Sequence, residues 1–231
     1  MRHPYNRTVR FCYKGDLRRS RPKSSLPITN GRFRMRAKTD EKRNAIIEAA
    51  LAVFEEVGYQ RASMAMISAR LGGSKATLYG YFQSKELLFA TAVTSALEEA
   101  GDETMAALAS EGDIASVLRR YGRLYLDLVT RPEILAILRT VLSEGQNSTL
   151  GREVYALGPQ RGITGLTEFL KARAAAGEID LASPEVAAQH FKGLLEAGVT
   201  EPRLFGLTDI RDKREAVDTA VAAFMRIYGR S

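Results

Sequence analysis

Lys75, Thr77, Tyr79, Tyr81 and Lys85 follow one another at short intervals within SMAMISARLGGSKATLYGYFQSKELL, residues 63–88. Two ammonium groups, a hydroxyl and two phenols can donate hydrogen bonds and positive charge, so the chemistry on offer is the binding of an anionic, grooved surface. The elements that must hold these groups are legible around them. Ser63 is placed to cap a helix whose Met64, Ile67 and Leu71 are spaced three and four apart, giving one apolar face. Gly72-Gly73 stops that helix, because glycine takes the left-handed conformation that closes a helix at little steric cost. Ser74 caps the next one, in which Leu78 and Phe82 face inward and Lys75, Thr77, Tyr79 and Tyr81 stay near the surface. Ser84-Lys85-Glu86-Leu87 begins another helix, whose free N–H groups and dipole suit a phosphate, with Lys85 adding charge.

Two short helices joined by a tight turn, followed by a third capped start, read as a helix-turn-helix. GYQRASMAMISARLGGSKATLYGYFQSKELLF resembles the DNA-binding domain of the tetracycline-repressor (TetR) family of bacterial regulators. The resemblance implies that the helix opened by Ser63 props the next, that the helix opened by Ser74 enters the major groove, and that Lys85 binds backbone phosphate. It makes Ser63, Ser74, Lys75, Thr77, Tyr79, Tyr81 and Lys85 the expected DNA contacts. Two positions depart from the family pattern: Ser68 stands where alanine is usual, and Gly80 where a larger side chain is common.

The chain has 231 residues, 45% of them hydrophobic, and a single cysteine, Cys12, which cannot form an internal disulfide. That cysteine usage fits a reducing cytoplasm, and no stretch reads as a membrane span or an apolar secretory segment. The formal net charge of +7 is distributed unevenly. Residues 1–34 hold ten Lys or Arg against one Asp, residues 35–85 eight against five acidic, and residues 86–231 sixteen against twenty-one. A basic leading part on an acidic body suits a DNA-binding module attached to something that does not bind DNA.

Residues 1–34 show no sustained period, and Pro4, Pro22 and Pro27 interrupt any helix, so they are expected to be a disordered basic extension. Three readings stay open for it: a flexible arm adding phosphate contacts, an upstream extension before a start at Met35, or a targeting peptide. The DNA-binding domain is placed at 35–85 and a helical ligand-binding and dimerisation domain at 86–231. Within the first, a helix is expected from about Asp40 to Val57, with Thr39 as N-cap, Gly58 as stop, and Ile46, Ile47, Ala50, Val53 and Phe54 inward; Arg36, Lys38, Lys42 and Arg43 lie near its start, where phosphate contact and plain solvent exposure both stay open. After Ser84 a helix is expected to reach about Leu108, with Gly101 marking a bend. Further helices are expected at Asp113–Val129, from Pro132 to Glu144, from Leu150 to Ala175 with a break near Gly158-Pro159, after Ser183-Pro184-Glu185, and from Asp209 to Tyr228. Gly145-Gln146-Asn147-Ser148 is read as a loop. Strand signals are scarce, so the fold class is all-α.

AAAGEIDLASPEVAAQHFKGLLEAG and the terminal AVDTAVAAFMRIYG resemble the C-terminal domain of the AefR-like subgroup of the same family. The resemblance implies a homodimer through the last two helices, with Ala187, Phe191, Leu194, Val217, Val221 and Phe224 at the interface. Tyr121, Tyr125, Arg139, Tyr155 and Phe169 are candidate lining for a small-molecule pocket, although aromatics on amphipathic helices are more often core. An enzyme lacks parts: the only histidines are His3 and His190, and no metal-ligand or cofactor spacing occurs, so no metal and no cofactor is expected. Two functions follow: a dimeric, ligand-responsive transcriptional regulator, most simply a repressor released from a palindromic operator by an inducer, or a helical ligand-binding or interaction protein with a degenerate DNA-binding head.

Overall fold

The computed structural model describes residues 30–144, 149–208 and 210–230, with side chains described from residue 39 onward. Over these residues the chain forms twelve α-helices, one 3-10 turn and no strand. The all-α class expected from the sequence is observed. Two compact units divide the chain between Ala92 and Val93.

The first unit contains α1 (Asn30–Arg61), α2 (Met64–Leu71), α3 (Lys75–Tyr81) and the start of α4 (Lys85–Ala96). Gly58 interrupts α1 with φ 76° and ψ 161°. Nothing lies within 4 Å of the place where a Cβ would sit there, so the backbone angle rather than space calls for glycine. The expected start at Asp40 is corrected, since the helix already runs from Asn30 and Thr39 lies inside it. Nothing after Pro27 breaks a helix before Gly58 apart from Gly31, which a helix tolerates. Residues 30–34 are therefore helical rather than disordered, while the expectation for 1–29 falls outside the described residues.

Ile46, Ile47, Ala50, Val53 and Phe54 of α1 are buried as their spacing predicts, as are Ile67 of α2, Leu78 and Phe82 at α3, and Leu88 and Phe89 of α4. Phe89 meets Phe54 edge-on with centroids 5.0 Å apart and Tyr59 at 4.8 Å. Edge-to-face pairs of this kind add about 0.5–1.5 kcal/mol beyond burial itself.

The second unit contains α5 (Glu98–Ala106), a 3-10 turn (Ala107–Ala109), α6 (Ile114–Val129), α7 (Pro132–Glu144), α8 (Leu150–Leu157), α9 (Pro159–Ala175), α10 (Pro184–Glu196), α11 (Thr200–Leu204) and α12 (Lys213–Tyr228). The single helix expected from Ser84 to Leu108 is broken at Leu97, not bent at Gly101. Leu97 N–H donates to Thr94 O in a tightened last turn of α4, and Gly101 sits inside α5. The expected break at Gly158-Pro159 is present, with Pro159 taking the first position of α9. The last helix starts later than Asp209, which falls outside the described residues, as does the expected loop at 145–148. Asp212 caps it instead, its carboxylate accepting from Arg214 and Glu215 N–H at 2.9 and 3.0 Å.

α6, α10 and α12 enclose the core of this unit, in which Phe191 and Phe224 meet at 5.2 Å and 71°. Gly122 of α6 sits where a Cβ would meet Leu195 Cδ2 at 2.9 Å and Val217 Cγ1 at 3.2 Å. The residues expected at a dimer interface lie in this core. Ala187, Phe191, Val221 and Phe224 are 0% exposed and Val217 1%, all inside one chain, and Leu194 is half-buried against them. Helical spacing identifies an apolar face but not which partner covers it, and here the chain's own helices do.

Candidate nucleic-acid interface

α2 and α3 are built by their caps. Ser63 Oγ accepts from Met66 N–H at 3.2 Å, and Ser74 Oγ accepts from Thr77 N–H at 3.1 Å. Gly72, at φ 68° and ψ 21°, closes α2. Ser68 is 4% exposed, and its hydroxyl donates to Gly73 O at 2.9 Å. The departure from alanine at this position thus ties down the turn between the two helices. Ser84 Oγ accepts from Leu87 N–H at 3.1 Å and starts α4 as expected.

Leu78 and Phe82, at 0% and 2% exposure, hold α3 against the core and fix which side faces out. Lys75, Ala76, Tyr79 and Gly80 are exposed, with Gln83 just beyond the helix. Tyr79 presents about half its surface, 49%. A face carrying one cation and one phenol among two small residues can approach a groove closely while offering a charge and a hydrogen bond. Six of the seven expected contacts separate into three kinds. Lys75 and Tyr79 are exposed; Ser63 and Ser74 are occupied as caps, with Thr77 Oγ1 sharing a 2.9 Å hydrogen bond with Ser74 Oγ; Tyr81 is half-buried.

Lys85, expected to bind backbone phosphate, is also engaged within the head. Its Nζ donates to Tyr59 O at 3.1 Å and Ala62 O at 3.3 Å and lies 4.1 Å from the centre of the Tyr59 ring. Arg70 is likewise engaged, by both Glu56 oxygens at 2.6 and 2.5 Å; its hydrogen bonds hold the Glu56 carboxyl below the ordinary carboxylate range. Arg43 is exposed with its guanidinium 5.5 Å from the Phe82 ring, which places a cation of α1 beside the end of α3. Gln83 did not stand among the expected contacts, and Arg43 stood only among the four cations near the start of α1 for which phosphate contact and plain solvent exposure were both open. Charge near the start of α1 was visible in sequence, but its position beside Phe82 depends on the packing of α1.

Residues 46–92 match the model of the bacterial regulatory proteins, tetR family, and residues 116–230 match the C-terminal domain of AefR-like transcriptional repressors. The chain belongs to the TetR family. Among solved structures, a TetR-family transcriptional regulator from Mesorhizobium loti is 27% identical, with 84% of this chain and 99% of that one covered and a TM-score of 0.69. The flavonoid-responsive regulator FrrA is 28% identical over 82% and 98%, with a TM-score of 0.65. Thermus thermophilus FadR, a TetR-family repressor in complex with lauroyl-CoA, is 19% identical over 79% and 93%, with a TM-score of 0.59, and shares the fold. None of the curated proteins matches the chain.

In the TetR-family body, the five expected pocket residues do not gather at one place. Tyr121 is 2% exposed and stacks on Tyr125 at 5.8 Å; burial, then the charge of Glu196, pushes its phenol well above the ordinary value. Tyr125 donates to Glu196 Oε1 at 2.5 Å, and Lys192 Nζ donates to Glu196 Oε2 at 2.8 Å. The Arg139 guanidinium is held by Leu204 O at 3.0 Å and Arg203 O at 2.6 Å, which ties α7 to α11. Phe169 packs half-buried on the core under Arg173. Tyr155 alone of the five lines a groove of about 580 Å³ between α8, α9 and α10, with Ile163, Thr167, Glu168, Glu185, Val186, Gln189 and His190 among the other walls. His190 Nδ1 lies 2.5 Å from Tyr228 OH. Among the described residues no group of acidic, histidine or cysteine side chains is arranged to hold a metal ion, and no helix is long and apolar enough to cross a membrane.

Proposed function

We propose that this TetR-family regulator is a dimeric repressor that reads a palindromic operator with α3 and is released by a small organic molecule bound in its C-terminal unit. The observation that carries the DNA half is the outward face of α3, where Lys75 and Tyr79 stand exposed on a helix fixed by the Ser74 cap and by buried Leu78 and Phe82. One seven-residue helix reads few base pairs, whereas two related by a two-fold axis read half-sites about 34 Å apart. The outward faces of α10 and α12 are the surface for that pairing: Ile227 is exposed to 61%, with the small residues Gly193 and Ala222 also exposed.

The groove beside Tyr155 supports the effector half. Its lining includes Glu168 and Glu185 and no lysine or arginine, which favours a neutral or cationic aromatic molecule over an acid or a phosphate ester. FrrA, described as flavonoid-responsive, is a precedent for an aromatic effector on this fold.

The test is a binding titration of the purified protein against DNA flanking its own gene, with sedimentation of the free and bound forms. One preferred fragment bound by two chains supports the reading. A monomer bound equally weakly to every fragment defeats it and favours the alternative, a ligand-binding body with a degenerate head. Of the two departures from the family pattern, Ser68 has a structural task in the turn, which leaves Gly80 as the one sign of a degenerate head.

A further inference from the structure

We propose that the groove between α8, α9 and α10 binds an aromatic amine, with its ammonium held by the Glu168 and Glu185 carboxylates and its ring seated among Tyr155, Ile163 and Val186. The proposal rests on the reading of this groove as the effector site. Its volume of about 580 Å³ suits a drug-sized molecule. Thr167 marks it as a site rather than a crease in the surface. This residue is 8% exposed, yet among the described residues its hydroxyl has no hydrogen-bond partner. Thr164, on the same helix and also in the lining, donates to Gln160 O at 2.9 Å, the bond that a helical threonine commonly makes to the carbonyl four residues back. Thr104, Thr130, Thr140 and Thr219 make it too. Thr167 does not, and among the described residues the unpartnered polar atom sealed from solvent is Thr200 Oγ1, so the Thr167 hydroxyl opens into the groove that it lines. A hydroxyl buried that far is under-satisfied until something in the groove bonds to it.

The charge of the walls selects what that something is. Glu168 is exposed and makes no ion pair among the described residues. Glu185 stands in the first turn of α10, where its own backbone N–H and then the Ser183 hydroxyl hold its carboxyl below the ordinary carboxylate range, so it is ionised at neutral pH. Lys171, one turn beyond Glu168 on α9, acts on the same carboxyl, which sets the start of α10 opposite that turn; Lys171 itself is not in the lining. The N–H groups that open α10 could attract an anion, but they are taken: Val186 N–H donates to Ser183 Oγ at 3.3 Å and Glu185 N–H to its own carboxylate. Two carboxylates beside the Thr167 hydroxyl therefore call for a ligand that donates hydrogen bonds and carries positive charge. The rest of the ligand has its own seat. Tyr155 and Val186, 50% and 49% exposed, offer aromatic and aliphatic surface with Ile163, and the tyrosine face also attracts a cation.

The experiment is calorimetric titration of the full chain, without DNA, with three probes that share one ring system: naphthylethylamine, naphthylethanol and naphthylacetate. Wild type is compared with Glu168→Gln, Glu185→Gln, the double variant, Thr167→Val and Thr167→Ser, with circular dichroism verifying that each is folded. The amine should bind about tenfold more tightly than the alcohol, and the acid more weakly than either. Glu168→Gln and Glu185→Gln should each weaken the amine about threefold to fivefold, and the double variant should bring it to the affinity of the alcohol, which itself moves less than about twofold. Thr167→Val keeps the shape and removes the hydroxyl, so it should weaken amine and alcohol alike by about threefold to tenfold, whereas Thr167→Ser binds as the wild type does. Alcohol or acid bound as tightly as the amine overturns the proposal. So does undiminished amine binding in the double variant or in Thr167→Val, or no binding of the amine at about 1 mM, the weak end of ligand affinities. The operator titration uses no probe and judges the regulator reading separately: a chain that binds its fragment but not the amine loses this proposal alone, and one that binds the amine but no fragment loses the regulator reading alone. An amine that binds as described and leaves the DNA complex intact supports the chemistry of the groove and defeats its reading as the effector site.

Discussion

Ser74→Ala and Gly80→Ala should move the stability of α3 in opposite directions by similar amounts. α3 has seven residues, too short to persist without tertiary support, so its ends matter. Ser74 Oγ accepts the Thr77 N–H bond, and loss of an N-cap of this kind costs about 1 kcal/mol, a roughly fivefold rise in local opening. At Gly80 a Cβ would meet nothing within 4 Å, so Ala adds helix preference without a clash, stabilising by about 0.5–1 kcal/mol. The two sites share no partner, and the double variant should return close to wild type. Hydrogen exchange of the Leu78 to Tyr81 amides reads the opening directly: faster in Ser74→Ala, slower in Gly80→Ala. Unchanged exchange in Ser74→Ala would mean that packing of Leu78 and Phe82 alone holds the helix. Faster exchange in Gly80→Ala would mean that Gly80 serves a conformation other than the helix described.

The second unit offers further checks. Gly122→Ala forces a methyl against Leu195 and Val217, which are both buried; an overpacking cost of about 2 kcal/mol, less about 1 gained in helix preference, predicts net destabilisation of about 1 kcal/mol in urea unfolding. The Tyr121 and Tyr125 phenols are raised by burial and then by Glu196, so folding favours their protonated forms. Their contribution is intact below pH about 10 and lost as pH climbs above it, and difference absorbance should show these two ionising only as the body unfolds. The Asp113 and Asp212 caps are lowered, chiefly by bonds from the Ser116 hydroxyl and the Glu215 N–H respectively. Their support is present above pH about 4 and fades as pH falls below it, so amide exchange at the starts of α6 and α12 should quicken there before the core opens.

Caps and breakers are local, and they were legible. Ser63, Ser74, Ser84, Gly58, Gly72 and the Gly158-Pro159 pair act as their types predict, because each bond they make or prevent lies within a few residues. What depends on distant packing was not legible. The apolar face carrying Phe191, Val217 and Phe224 has the same spacing whether a second chain or the first covers it. Lys85 reads as a free cation until the carbonyls of Tyr59 and Ala62 are brought to it, and Arg43 as one of many surface charges until Phe82 lies beside it. Tyr121, Tyr125 and Tyr155 have similar polarity, yet the first two are drawn into the α6–α10 packing and the third is left at a groove.

The central claim is that the exposed face of α3 reads a specific DNA sequence, and the direct measurement is affinity for the preferred flanking fragment relative to scrambled DNA, for wild type and Tyr79→Ala. Specific sites are bound about 10³-fold or more tightly than random ones, and a lost base contact removes about 1–3 kcal/mol of that preference. The account predicts that Tyr79→Ala lowers affinity for the preferred fragment about tenfold while binding to scrambled DNA stays unchanged. Equal affinity of the wild type for both DNAs, or a Tyr79→Ala variant with undiminished preference, would contradict it.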